Sequence, residues 1–268
     1  MKTLFLTLIT LFLTISKTYS SVIVTNGLTH SYSGVSGDVI SGEVILINNS
    51  TEEQRITFEL NDIIFSCTQD RFFTSETTHS QSSLDWFNAE LMEKTLRPKE
   101  KYVYRFTITI PEDQNLKGSY WSTLMVNVEK PIKEEALNDK VGLDTKIRYS
   151  VALLTDVNLQ DEVNIDFNTI DLNDLTINGK RKLDVKILNE GEFIEGVKLT
   201  LEVYNDNGDK IYEFETDRNM AFPGFCRDYI LDLTSLEIGE YECVLIAESR
   251  EDFIGANITL TIDEEFSN

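Results

Sequence analysis

The feature that most constrains this chain is a period of two. Arg55-Ile56-Thr57-Phe58-Glu59-Leu60 alternates polar and apolar residues, and so does the stretch from Tyr102 to Ile110. A strand points successive side chains to opposite faces, so such a segment hides one face and wets the other. Val44 to Ile47, Tyr120 to Val128 and Lys146 to Val157 add further strands. Asn48-Asn49-Ser50 supplies a turn, and Pro111 and Pro131 end strands because proline cannot donate to the ladder. Lys133 to Gly142 reads as one or two helical turns inside a connection, and Thr68 to Asp85, rich in Ser and Thr, as a long loop. No stretch carries the pattern of a long amphipathic helix.

A second series of strands follows the short polar stretch 157–164. Leu183 to Ile187 leads into Asn189-Glu190-Gly191, and Val197–Tyr204 and Lys210–Phe214 flank an Asn207-Gly208 turn. Tyr229–Leu233, Glu240–Ala247 and Asn257–Ile262 complete the set. Short strands at regular spacing predict a sandwich or barrel. The expected fold is all-β, with two tandem immunoglobulin-like Greek-key sandwiches over 21–157 and 163–266 behind a signal peptide, 1–20. Expected cores are Val44, Leu46, Phe58, Leu60, Phe106 and Ile108 in the first domain. In the second they are Val185, Ile187, Leu201, Val203, Tyr241, Cys243 and Leu245.

Residues 1–20 have a positive start at Lys2, an apolar run from Leu4 to Ile15, and Thr18 and Ser20 at the −3 and −1 positions of a cleavage site. The run is shorter than the ~20 apolar residues a spanning helix needs. Export is therefore expected, to the periplasm, the cell surface or the medium, with no integral membrane segment after cleavage. Losing Lys2 and Lys17 takes the formal charge from −22 to −24. That charge repels nucleic acid phosphates and anionic lipid, so no nucleic acid partner is expected. Cys67, Cys226 and Cys243 permit at most one bridge. Cys243 is either a buried thiol or a partner for Cys226.

Little points to catalysis. His30 and His79 are far apart in sequence, no Ser or Cys motif accompanies either, and no glycine-rich phosphate loop follows a strand. An acidic hydrolase would rest on composition alone. Asn205 to Asp209 offers oxygens of the type calcium takes, but a plain hairpin explains the same residues. No catalytic residue, cofactor or metal site is expected. Asn48, Asn49 and Asn257 lie in sequons that matter only in a eukaryote. Period two puts Leu124, Val126 and Val128 on the core face, and Trp121, Thr123, Met125 and Asn127 on a mixed one. Trp121 is either a partly exposed ring able to stack on sugar, or a ring covered by the Thr68–Asp85 segment.

Gly239-Glu240-Tyr241 before an alternating strand resembles the tyrosine corner of Greek-key sandwiches. Trp86, Leu96-Arg97-Pro98-Lys99-Glu100, the strand ending at Pro111, and Gly118-Ser119-Tyr120 together resemble the N-terminal, peptidoglycan-binding domain of the WxL-interacting cell-surface proteins. More distantly they resemble the N-terminal domain of periplasmic pilus chaperones. Asn189-Glu190-Gly191, Asn207-Gly208, Pro223-Gly224 and Gly239-x-Tyr241 are similar to the host-binding half of the WxL-interacting family. That family ends in a transmembrane helix and basic tail, whereas this sequence ends in acidic residues, so anchoring of that kind is not expected. Pilus chaperones hold a carboxylate with an Arg and a Lys on two strands. Ser21–Thr25 has no Arg, and only Lys146 and Arg148 could serve on the later strand.

The resemblance implies a non-enzymatic, exported binding module that takes a surface or periplasmic protein, with peptidoglycan as a candidate ligand of the first domain. The alternative it implies is an assembly chaperone that lends Lys146–Val157 as a strand to an incomplete subunit. Candidate partner-binding residues are Lys146, Arg148, Tyr149 and Trp121. Docking is expected along 146–153, by strand addition or in the cleft between domains.

Overall fold

A computed structural model describes residues 21–263, apart from 66, 68–71, 76–78, 90–92, 130–145, 160, 161, 176–179 and 206. The expected signal peptide and the expected helical turns within Lys133–Gly142 lie outside the described residues.

The first domain contains β1 (Val22–Val24), β2 (Thr29–Gly34), β3 (Val39–Asn48), β4 (Gln54–Ile64), β5 (Phe72–Thr74), β6 (Phe87–Asn88), β7 (Glu93–Leu96), β8 (Lys101–Thr109), β9 (Gly118–Glu129) and β10 (Ile147–Val157). One sheet runs β1-β3-β8-β6, and the other β2-β10-β9-β4-β5 with β7 also on β4. The second domain contains β11 (Ile165–Leu175), β12 (Lys180–Asn189), β13 (Glu195–Tyr204), β14 (Lys210–Glu215), β15 (Asn219–Ala221), β16 (Cys226–Asp232), β17 (Gly239–Ser249) and β18 (Asp252–Ile262). Its sheets run β11-β12-β16 and β14-β13-β17-β18, with β15 on β13. The fold is the pair of immunoglobulin-like sandwiches read from the alternation.

Each sandwich closes on its apolar faces. Val44, Leu46, Phe58, Phe106 and Ile108 are buried in the first core and Leu60 packs against it. Val185, Ile187, Leu201, Val203, Cys243 and Leu245 are buried in the second, with Tyr241 against them. Tyr241 Oη donates to the Glu237 carbonyl at 3.2 Å, the backward bond of a tyrosine corner. The Asn205–Asp209 segment joins β13 to β14 as a hairpin. Asn205 Oδ1 accepts from the Asn207 and Asp209 amides, and Gly208 takes φ +80°. Asn48, read as part of a sequon, is fully buried, and its amide donates to Glu52, Leu96 and Arg97 carbonyls.

Candidate functional site

β10 has two different edges along its length. On one side it pairs antiparallel with β9 from Ile147 to Val157. On the other it pairs in parallel with β2, but only from Ala152 to Val157. Among the described residues, no strand lies beside Ile147–Val151 on that second side. The Ala152 amide donates to the Leu28 carbonyl there at 2.8 Å. Backbone groups of alternate residues share a direction in a strand, so the Arg148 and Ser150 amides and carbonyls point to the same side. This half of β10 thus presents backbone donors and acceptors in the arrangement an added strand would use.

Side chains fix this half-strand. Val151 and Leu153 are buried in the first core, and Ile147 and Tyr149 pack against it. Tyr149 Oη crosses the sandwich and donates to the Val22 carbonyl at 2.7 Å, and burial pushes its hydroxyl pKa up. Its polar tip is therefore committed inward. Lys146 Nζ pairs with Glu129 at 2.8 Å while its side chain stays mostly exposed. That pairing holds the Glu129 carboxyl below its usual range. Arg148 Nε donates to Asn127 Oδ1 at 2.6 Å. Both cations thus reach across to β9, on the paired side of the strand.

The other end of β10 enters the contact between the domains. Ile63, Phe65, Trp121, Ala152 and Leu154 from the first domain cluster with Ile194, Phe222 and Phe225 from the second. Phe65 stacks on Phe222 at 4.2 Å, and Trp121 meets Phe222 edge-on at 5.0 Å. Ser119 N donates to the Glu192 carbonyl at 2.8 Å, and Ile194 N donates to Ser119 Oγ at 2.8 Å. A Cys67–Cys226 disulfide ties the domains covalently. Gly118 sits at φ +112°, and a Cβ there would stand 2.5 Å from the Glu192 carbonyl, so this contact needs glycine.

These contacts bear on three sequence expectations. Trp121 is fully buried. His79 stacks on it at 4.2 Å, and Trp121 Nε1 donates to the Ile63 carbonyl at 2.9 Å. The Thr68–Asp85 loop does cover it through His79, but the second domain seals the rest, so the ring has no face for sugar. Cys226 pairs with Cys67, and Cys243 is a buried thiol. Lys146 and Arg148 do not line the cleft between the domains. Arg148 is eight residues from Asp156, which pairs with Ser119 at the junction, and eight strand residues span about 26 Å.

His79 is the residue that sequence reasoning passed over. Its Nε2 lies 3.0 Å from Asp62 Oδ1, inside the interdomain cluster. Burial pushes its pKa below the ordinary histidine value, and the Asp62 charge pulls the other way without prevailing. Only its lone position within a Ser/Thr-rich run was visible in sequence.

No protein-family model and no curated protein sequence matches the chain significantly. The resemblance to WxL-interacting proteins therefore gains no support. Solved structures do match. A chain from the chaperone–tip adhesin complex of CFA/I fimbriae biogenesis aligns with TM-score 0.50 at 16% identity, covering 90% of this chain and 98% of its own. The class 5 fimbriae chaperone CfaA aligns at 0.49 and 16% identity, covering 91% and 100%. The E. coli chaperone DraB aligns at 0.42 and 10% identity, covering 89% and 98%. At such identities the first match establishes a shared fold, and the weaker ones add nothing to it.

Proposed function

We propose that this protein is an exported assembly chaperone, acting in the periplasm, that lends the open half of β10 to an incomplete surface subunit. One observation carries the reading: β2 covers β10 from Ala152 onward and leaves Ile147–Val151 beside no described strand. Strand addition draws affinity from main-chain hydrogen bonds and specificity from alternate side chains. The outward backbone of Arg148 and Ser150 supplies the first. Ile147 and Tyr149, half-buried at the rim of the core, meet the partner's apolar residues. Lys146 and Arg148 suit an acidic group on the partner, such as a chain-terminal carboxylate. The fimbrial chaperone fold supports this reading over a glycan-binding adhesion module, because Trp121 offers no stacking face. No step of strand donation involves bond-making chemistry, so no catalytic residue is assigned.

The test is co-expression with surface proteins encoded beside its gene. The wild type should form a stable one-to-one complex with at least one of them. Ser150→Pro removes an outward amide and the Ser150 hydroxyl's bond to Thr123 but leaves the β9 backbone ladder intact, and should abolish the complex while the protein stays folded. Lys146→Glu with Arg148→Glu should weaken it. A folded Ser150→Pro protein that forms the same complexes overturns the proposal.

A further inference from the structure

β18 is a second open edge, on the other domain, and it is unusually bare. It closes the β14-β13-β17-β18 sheet, and among the described residues no strand lies on its outer side. From Phe253 to Ile262 it carries no charged residue, in a chain whose residues are 26% charged. Edge strands are ordinarily blunted by lysine, proline, a bulge or shortness. β18 runs for 11 residues in unbroken register with β17 and uses none of these.

Its parity can be worked out from the hairpin. Ser249 pairs with Asp252 across a two-residue turn. The pair that closes such a turn exchanges hydrogen bonds, and bonded pairs then alternate along the ladder. Ile254, Ala256, Ile258, Leu260 and Ile262 therefore bond to β17. Phe253, Gly255, Asn257, Thr259 and Thr261 turn their amides and carbonyls to the open side.

A cleft lies beside that edge. About 360 Å³ of space is bounded by Ile170 and Leu172 of β11, by Leu183, and by Ile258 to Thr261 of β18. The edge backbone and the apolar cleft occur together, which is the combination a strand-binding site needs. The rim is acidic. Asp252 and Asp263 bracket β18, Asp171 stands on the exposed side of β11, and Glu240 and Glu242 lie opposite Thr261 and Thr259. Nearby cations are engaged: Arg250 with Glu195, and Arg181 with the Leu236 and Asp263 carbonyls.

We infer that the β18 edge binds an extended segment of a second protein, with alternate apolar side chains entering the β11–β18 cleft and Lys or Arg at both ends. The charge pattern selects this occupant over another copy of the chain. Antiparallel self-pairing would bring Asp252 of one copy toward Asp263 of the other, in a molecule of formal charge −22. This site is independent of β10, so a chaperone loaded through its first domain could still hold a second strand through its second.

The test uses the disulfide-bonded protein and two synthetic peptides. Both are nine-residue alternations of threonine with valine or isoleucine, one with lysine at each end and one with glutamate. The lysine peptide should bind saturably, more tightly at low salt, and protect the amides of Phe253, Gly255, Asn257, Thr259 and Thr261 from hydrogen exchange. Asn257→Pro deletes one outward amide on an edge where proline is tolerated. It should weaken binding about tenfold, the worth of one good hydrogen bond, without changing the complex made through β10. Equal binding of the glutamate peptide overturns the proposal. So does absence of protection at those amides, or a concentration-dependent dimer that Asn257→Pro abolishes.

Discussion

Replacing Trp121 with alanine removes the bulkiest fully buried side chain among the described residues. Trp-to-Ala truncation in a core costs about 3–5 kcal/mol through lost burial and the cavity left behind. Here the void would open between the domains, beneath His79, Phe222 and Phe225. It would also orphan the Ile63 carbonyl that now accepts from Nε1. Trp121→Phe keeps a ring but loses that bond, and should cost about 1–3 kcal/mol. Urea unfolding followed by circular dichroism measures both. With an m-value of about 3 kcal/mol/M, the alanine midpoint should fall by roughly 1–2 M, and the phenylalanine midpoint by less. An alanine variant within about 0.5 kcal/mol of wild type would refute the buried assignment and return Trp121 to the surface.

Removing the disulfide with Cys67→Ser and Cys226→Ser should destabilise the folded protein by up to about 5 kcal/mol, the loop-closure value for a separation of 159 residues; an unchanged urea midpoint would contradict a formed bond. The remaining Cys243 thiol, buried and pushed up to about 11, should resist thiol reagents until the protein is denatured. Because burial depresses the His79 pKa in the folded state, unfolding favours its protonation. Stability should be full above about pH 6.5 and fall as pH drops from there toward the folded value, and His79→Gln should flatten that slope. Gly118→Ala should lower the melting temperature, costing about 1–3 kcal/mol from its positive φ and more from the Glu192 carbonyl beside the new Cβ, and an unchanged melting temperature would contradict both.

The alternating strands were legible because each sandwich hides one face of most of its strands. Phe58, Phe106, Val185 and Leu245 follow directly from period two. Trp121 did not, because β9 is buried on both faces, and a strand of that kind stops alternating. The signal was present: from Gly118 to Val128 there is no charged residue. The Cys67–Cys226 bridge was not legible, since it joins the chain just after β4 of one domain to β16 of the other, and no local pattern relates them. Sequence identified β10 as a strand with an apolar face. That β2 covers only its second half is a parallel pairing between segments more than a hundred residues apart, which alternation cannot encode.

Amide hydrogen exchange along β10 tests the central claim most directly. In the free protein the Arg148 and Ser150 amides should exchange fast, while the Ala152 amide, bonded to Leu28, should be slow. Binding of a surface subunit should slow the first two and leave Ala152 as it was. If Arg148 and Ser150 are already as protected as Ala152 in the free protein, or stay unprotected in a stable complex, β10 is not a donor strand.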